Sequence, residues 1–201
     1  MAENGLIAKS STMEQDQSVF RTLLAAMANP GTIQRIQHYH ASNQKYFATK
    51  IYINIAHALL DQEVSYYVHE NPELSKAIAR STFSKEASIG NAEYLFFQGL
   101  TDTNIIESLE GTIQTGELSS PEKGAMIFLH IDAFQSEGMS WTGPGIDKSV
   151  EIAMSGLDQQ WLILREKVNQ EYPLGVDVVF FTSAGDICAL PRTTHIQQMG
   201  E

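Results

Sequence analysis

Two short and nearly uninterrupted apolar runs, at 125–131 and 176–182, constrain this chain more than any other feature of it. Each falls well short of the roughly 18 residues required to cross a bilayer, and each reads as a strand covered on both faces. Strands of that kind belong to a sheet buried between packing layers. The turn Ser183-Ala184-Gly185-Asp186 leads from the second run into another at 187–190, so these two strands are expected to be antiparallel neighbours and the sheet to be mixed.

Helical periodicity supplies the cover. Between 13 and 28, Phe20, Leu23, Leu24 and Met27 recur at i, i+3, i+4 and i+7, and Asn29-Pro30-Gly31 then stops the helix. Residues 1–12 are small and polar and read as a flexible leader to a single domain over 13–201. A short strand is expected at 31–37. Length favours a helix at 46–60, although Ile51, Ile53 and Ile55 also alternate as in a strand. Strands follow at 64–69 and 94–98, helices at 72–80 and 102–109, and a polar loop runs through Gly111, Gly116 and Pro121. A strand at 139–142 precedes a helix over 158–171, capped by Asp158, with Trp161, Leu164 and Val168 on one face. The fold class is therefore α/β.

Thirteen basic against 24 acidic residues give a net charge of −11, the wrong sign for neutralising nucleic-acid phosphates. The single cysteine, Cys188, cannot form an intramolecular disulfide, and the start of the chain lacks a secretory signal, so the expected setting is cytoplasmic. No membrane span is expected. Gly111-x4-Gly116 lacks the lysine and hydroxyl of a phosphate loop, and Gly143-Pro144-Gly145 places Lys148 where a dinucleotide turn requires its last glycine. His38 and His40 share a strand face but have no further ligand nearby, so no metal is assigned. Cys188 sits in an apolar strand, where an inert buried thiol is expected rather than a partner for His195. Ser42-x2-Lys45 and Ser120-x2-Lys123 have an acyl-transfer spacing without its other elements.

Two segments retain chemical interest. Trp141-Thr142-Gly143-Pro144-Gly145-Ile146 closes a strand with glycines that permit close backbone approach. Pro191-Arg192-Thr193-Thr194-His195 carries a guanidinium, two hydroxyls and an imidazole in one run. Together they suit an anionic phosphate or phosphonate. The alternative is an ion pair between Arg192 and Asp177 or Asp186 that holds the terminal hairpin.

The blocks Phe20-Arg21-x-Leu23-Leu24-x-Ala26-Met27-x-x-Pro30-Gly31, Thr142-Gly143-Pro144-Gly145-Ile146, and Tyr172-Pro173-Leu174-Gly175-Val176-Asp177 with Ala189-Leu190-Pro191-Arg192-Thr193-Thr194-His195 resemble PhnH, a subunit family of the bacterial carbon-phosphorus lyase system. The resemblance implies a three-layer α/β/α sandwich with a mixed sheet, similar to the large domain of pyridoxal-phosphate-dependent transferases but without that cofactor. It further implies a homodimer that works with the subunits PhnG, PhnI and PhnJ to join a phosphonate to the ribose C1 of ATP. Adenine is displaced, giving a ribose 1-phosphonate 5-triphosphate, and a separate radical subunit later breaks the carbon-phosphorus bond. ATP and phosphonate are then substrates of the complex. On this reading Arg192, Thr193, Thr194 and His195 lie near an anionic substrate, with Gly143 and Gly145 shaping the floor. No complete catalytic set can be assembled, so the subunit either binds ligand or serves assembly alone. Both readings require the terminal block and the glycine bend to meet in space.

Overall fold

A seven-stranded sheet organises the computed structural model, which describes residues 2–36 and 47–197. Its strands are β1 (Gln34–Arg35), β2 (Ser65–Val68), β3 (Lys85–Glu86), β4 (Tyr94–Gln98), β7 (Met126–Ile131), β10 (Asp177–Thr182) and β11 (Asp186–Leu190). They lie in the order β1-β11-β10-β7-β4-β2-β3. The pairs β10–β7, β7–β4, β4–β2 and β2–β3 are parallel, whereas β11 runs against both of its neighbours. The mixed sheet and the α/β class follow the sequence, and β7 and β10 stand at its centre as their apolar runs require.

Alternation along these strands builds two cores. Phe96, Phe128, Val179 and Phe181 pack on one face with α1 (Ala2–Ala28), α2 (Phe47–Leu59) and α3 (Pro72–Thr82). Leu95, Phe97, Ile127, Leu129, Val178 and Phe180 pack on the other. That second face is covered by α4 (Thr103–Ser108), α5 (Gln160–Val168) and a three-stranded sheet formed by β8 (Ala133–Thr142), β9 (Val150–Ser155) and β12 (His195–Gln197), in the order β12-β8-β9. One covering layer is thus helical, and the other combines helix with sheet.

Local chemistry accounts for the element ends. Asn71 Oδ1 accepts the Leu74 amide at 3.0 Å to open α3, with Pro72 in its first turn. Gly31 takes φ 79° beyond the end of α1, a left-handed exit. Asp158 Oδ1 accepts the Gln160 amide at 2.9 Å ahead of α5. This helix ends at Val168 rather than reaching Glu171, because the Asn169 side chain bonds the Val176 amide at 2.7 Å and the Val176 carbonyl at 3.0 Å.

Several expectations change. α1 begins at Ala2, since between there and Pro30 the sequence has no proline to interrupt it. Its core stripe is Val19, Leu23 and Ala26, while Phe20 and Leu24 are 43% and 53% exposed, because α2 and β11 meet the helix on its other side. The polar loop through Gly116 and Pro121 is an antiparallel hairpin of β5 (Thr115–Glu117) and β6 (Ser120–Gly124), so Ser120 and Lys123 lie on a strand. Both of its strands are largely solvated and carry no apolar alternation. β8 is longer than the strand expected at 139–142, and β9 and β12 were unsignalled, since this small sheet buries only part of one face. The predicted strand at 31–37 is short, at Gln34–Arg35. His38, His40, Ser42 and Lys45 lie outside the described residues.

Phe180 is wholly buried, and Phe180→Ala should cost about 3–5 kcal/mol in urea unfolding. Leu118→Ala, on the exposed hairpin turn, should stay within about 0.5 kcal/mol of the parent in the same measurement.

Candidate functional site

The chain leaves the large sheet at Leu190 and enters the small one at His195, and the residues between are pinned from several directions. β12 pairs antiparallel with β8, placing His195 opposite Thr142 and Ile196 opposite Trp141. The terminal block and the glycine bend therefore meet, as both readings of the sequence require. At Gly143 (φ 143°) an added Cβ would stand 3.0 Å from the Thr193 carbonyl oxygen and 3.2 Å from Thr194 Cα. Only glycine allows this approach without strain. Gly145 points elsewhere: a Cβ there would collide with the Ala28 carbonyl and lie 2.9 Å from Pro30 Cδ, so this glycine seats the bend on the end of α1.

Arg192 is committed to the protein. Its Nη2 donates to Asp177 Oδ2 at 2.7 Å, and its Nε lies 3.3 and 3.2 Å from the two Asp177 oxygens. Nη1 donates to the carbonyls of Pro121 at 2.9 Å and Pro173 at 3.3 Å, and the Arg192 amide donates to Asp177 Oδ1 at 2.7 Å. The two side chains are 14% and 16% exposed. Of the two carboxylates foreseen for the ion pair, Asp177 takes this arginine, while Asp186 pairs with Arg35 at 2.8 Å. All three guanidinium nitrogens thus have protein acceptors.

A second arginine reinforces the crossing. Arg165 on α5 is 5% exposed, and its Nη2 donates to the carbonyls of Pro191 and Thr194, both at 2.6 Å. No carboxylate forms an ion pair with it among the described residues. Burial pulls its pKa down to about 10, against the opposing influence of Asp177 and Glu166. Sequence reading passed over Arg165, although its spacing of four from Trp161 puts a charge on the buried face of α5, a signal in itself.

Beside the crossing lies a cleft of about 940 Å³ between α5 and the three-stranded sheet. Its walls include Met139, Met154 and Leu162, and its polar lining includes Arg165, Thr194 and His195. His195 is exposed, Thr193 half-buried and Thr194 buried. The Thr194 amide donates to the Pro191 carbonyl at 3.0 Å, but its hydroxyl has no partner among the described residues. Cys188 lies wholly inside the core, where burial pushes the thiol up to about 12, so it is chemically separate from His195. No group of three metal-ligating side chains occurs among the described residues, and no described helix is long and apolar enough to cross a membrane.

Arg192→Ala should destabilise the fold by about 3 kcal/mol in urea unfolding, because Asp177, 16% exposed, would be left largely screened from water without its cation. Arg192→Met combined with Asp177→Asn should recover most of that loss, since the carboxamide oxygen introduced at position 177 still accepts the backbone amide of residue 192. Gly143→Ala should cost about 1–3 kcal/mol through backbone strain.

Comparison with known proteins places this geometry in context. The family described as "Bacterial phosphonate metabolism protein (PhnH)" matches residues 8–197. A relative in Stutzerimonas stutzeri named "Putative C-P lyase subunit protein HtxG" is 32% identical over 187 residues, covering 92% of this chain and 88% of that protein. Another in Rhizobium meliloti (strain 1021), named "Alpha-D-ribose 1-methylphosphonate 5-triphosphate synthase subunit PhnH", is 25% identical over 190 residues, covering 90% of each.

Proposed function

The chain belongs to the PhnH family of bacterial phosphonate metabolism proteins, and on that premise we propose that it is a non-autonomous subunit of a carbon-phosphorus lyase assembly. The assembly joins a phosphonate to the ribose C1 of ATP with loss of adenine, and this chain's physical task within it is to organise partner subunits. The names of the two relatives support the setting, since each is called a subunit. The task rests on one structural observation. The most distinctive residues at the crossing are spent on internal contacts, with Arg192 bound to Asp177 and two carbonyls, whereas other members of the same motif blocks present apolar surface. Phe20 and Leu24 are exposed on one side of α1, and Tyr172 is 76% exposed after α5. Large apolar groups held at the surface by otherwise structural motifs suit a subunit interface.

A homodimer, partnership with PhnG, PhnI and PhnJ, a cytoplasmic setting and freedom from pyridoxal phosphate all belong to this reading. So does a three-layer architecture like that of the large domain of pyridoxal-phosphate-dependent transferases, to which the mixed sheet lends support. The second reading, in which Arg192, Thr193, Thr194 and His195 touch an anionic substrate beside Gly143 and Gly145, is favoured by the cleft next to Thr194 and His195. It then falls to His195, the exposed member of the block that lines this cleft, to meet the ligand.

Co-expression with the neighbouring subunits separates the two. Phe20→Glu with Leu24→Glu should leave the circular dichroism spectrum unchanged and remove the chain from the complex in gel filtration. His195→Ala should leave both assembly and transferase turnover intact. Turnover lost from a fully assembled His195→Ala complex would select the ligand-binding reading instead.

A further inference from the structure

Away from the crossing, four polar side chains form a directional hydrogen-bond chain at the carboxyl ends of the parallel strands. Gln98 ends β4 and stands opposite His130 of β7, which on its other side stands opposite Phe181 of β10. Ser183 directly follows β10. His130 Nε2 lies 2.8 Å from Ser183 Oγ, and His130 Nδ1 lies 3.0 Å from Gln98 Oε1. Gln98 Nε2 donates to Tyr52 Oη at 3.0 Å, and Tyr52 on α2 donates to the Phe97 carbonyl at 3.2 Å. The rings of Tyr52 and Phe181 pack beside the imidazole, with centroids 5.7 and 5.3 Å away.

The buried end sets the direction of every bond. A carbonyl can only accept, so Tyr52 donates its hydroxyl proton to Phe97, and burial holds that phenol's pKa above its ordinary value. Tyr52 Oη is then an acceptor, which turns the Gln98 amide nitrogen towards it and the amide oxygen towards His130. His130 must therefore carry its proton on Nδ1, leaving the Nε2 lone pair to accept from Ser183. Burial lowers the His130 pKa, opposed by nearby Asp132, which favours the neutral imidazole with its Nε2 lone pair free to accept a proton.

Ser183 opens the turn closed by the Gly185 amide on the Thr182 carbonyl at 3.0 Å, with Gly185 at φ 87°. The next residue, Ala184, is exposed, and its amide makes no hydrogen bond among the described residues. A hydroxyl, a base, a group orienting that base and a free amide next to the hydroxyl are the parts of nucleophilic acyl transfer. They stand at the edge where open α/β sheets hold ligands.

We propose that Ser183 is a nucleophile activated by His130, and that this edge accepts an uncharged carboxylic ester. Charge selects that substrate class: Arg35, beside this turn, is paired with Asp186, and Asp132 is acidic, so among the described residues this edge offers no spare cation to an anionic ester. Ser183 Oγ adds to the carbonyl carbon while its proton passes to Nε2. The ester C–O bond breaks as the carbonyl re-forms, and the departing alkoxide takes the proton from His130. Water then adds to the acyl-serine with the same base, releasing the acid and restoring the hydroxyl.

The test treats the full chain with an uncharged alkyl fluorophosphonate, which forms an Oγ–P bond as fluoride leaves and the proton is passed through His130 to solvent. Peptide mapping should find one adduct, on Ser183. His130→Gln should slow its formation about a hundredfold. Gln98→Glu, which puts a carboxylate against Nδ1, should move the pH profile of labelling to higher pH, with Tyr52 and Asp132 unchanged around the ring. Absence of an adduct on Ser183 would overturn the proposal. So would equal labelling rates with and without the imidazole, or a pH profile unmoved by Gln98→Glu.

Discussion

The largely enclosed guanidinium of Arg192 governs how the two sheets of this protein are joined. Its pairing with Asp177 ties the second residue beyond β11 to the first residue of β10, and its contacts with Pro121 and Pro173 hold the β5–β6 hairpin and the segment before β10 against the same point. A buried charge is costly unless it is matched and its hydrogen bonds are filled, and here both conditions are met. Arg165 meets a different need. Two carbonyls of the crossing turn inward, away from any ladder, and one guanidinium nitrogen supplies donors for both.

Glycines let the backbone come close enough for this arrangement. Gly143 fits beneath Thr193 and Thr194, Gly145 seats on the end of α1, and a Cβ on Gly31 would collide with Val150 and approach Trp141. The motif blocks, far apart in sequence, are thus neighbours. Their distinctiveness reflects an architectural junction as much as any chemistry, which is why Arg192 is an organiser of the cleft rather than its open cation.

Legibility followed the amount of surface each element buries. β7 and β10 lie between two cores, so their central positions had to be apolar and the runs were plain. α2 was decided by length. The face of α1 was misread because apolar residues occupy two sides of it: Val19, Leu23 and Ala26 go inward, while Phe20 and Leu24 carry equal hydrophobic weight outward. The β5–β6 hairpin and β9 bury too little to leave a pattern. Arg192 could be matched with either of two aspartates from sequence, and the pairing of Arg35 with Asp186 removes one of them. Arg165 and His130 drew no notice and Ser183 only as part of a turn, since each gains its chemical meaning from residues 26 to 53 positions away.

Sequence alone determined the α/β class, the mixed central sheet and the inert buried cysteine. These depend on local apolar pattern or on turn chemistry. Tertiary structure decided which carboxylate takes Arg192, which stripe of α1 faces the core, and where the proton resides on His130. Such outcomes depend on which donors and acceptors are left over once the strands have paired, and that remainder is a property of the whole packing rather than of any segment.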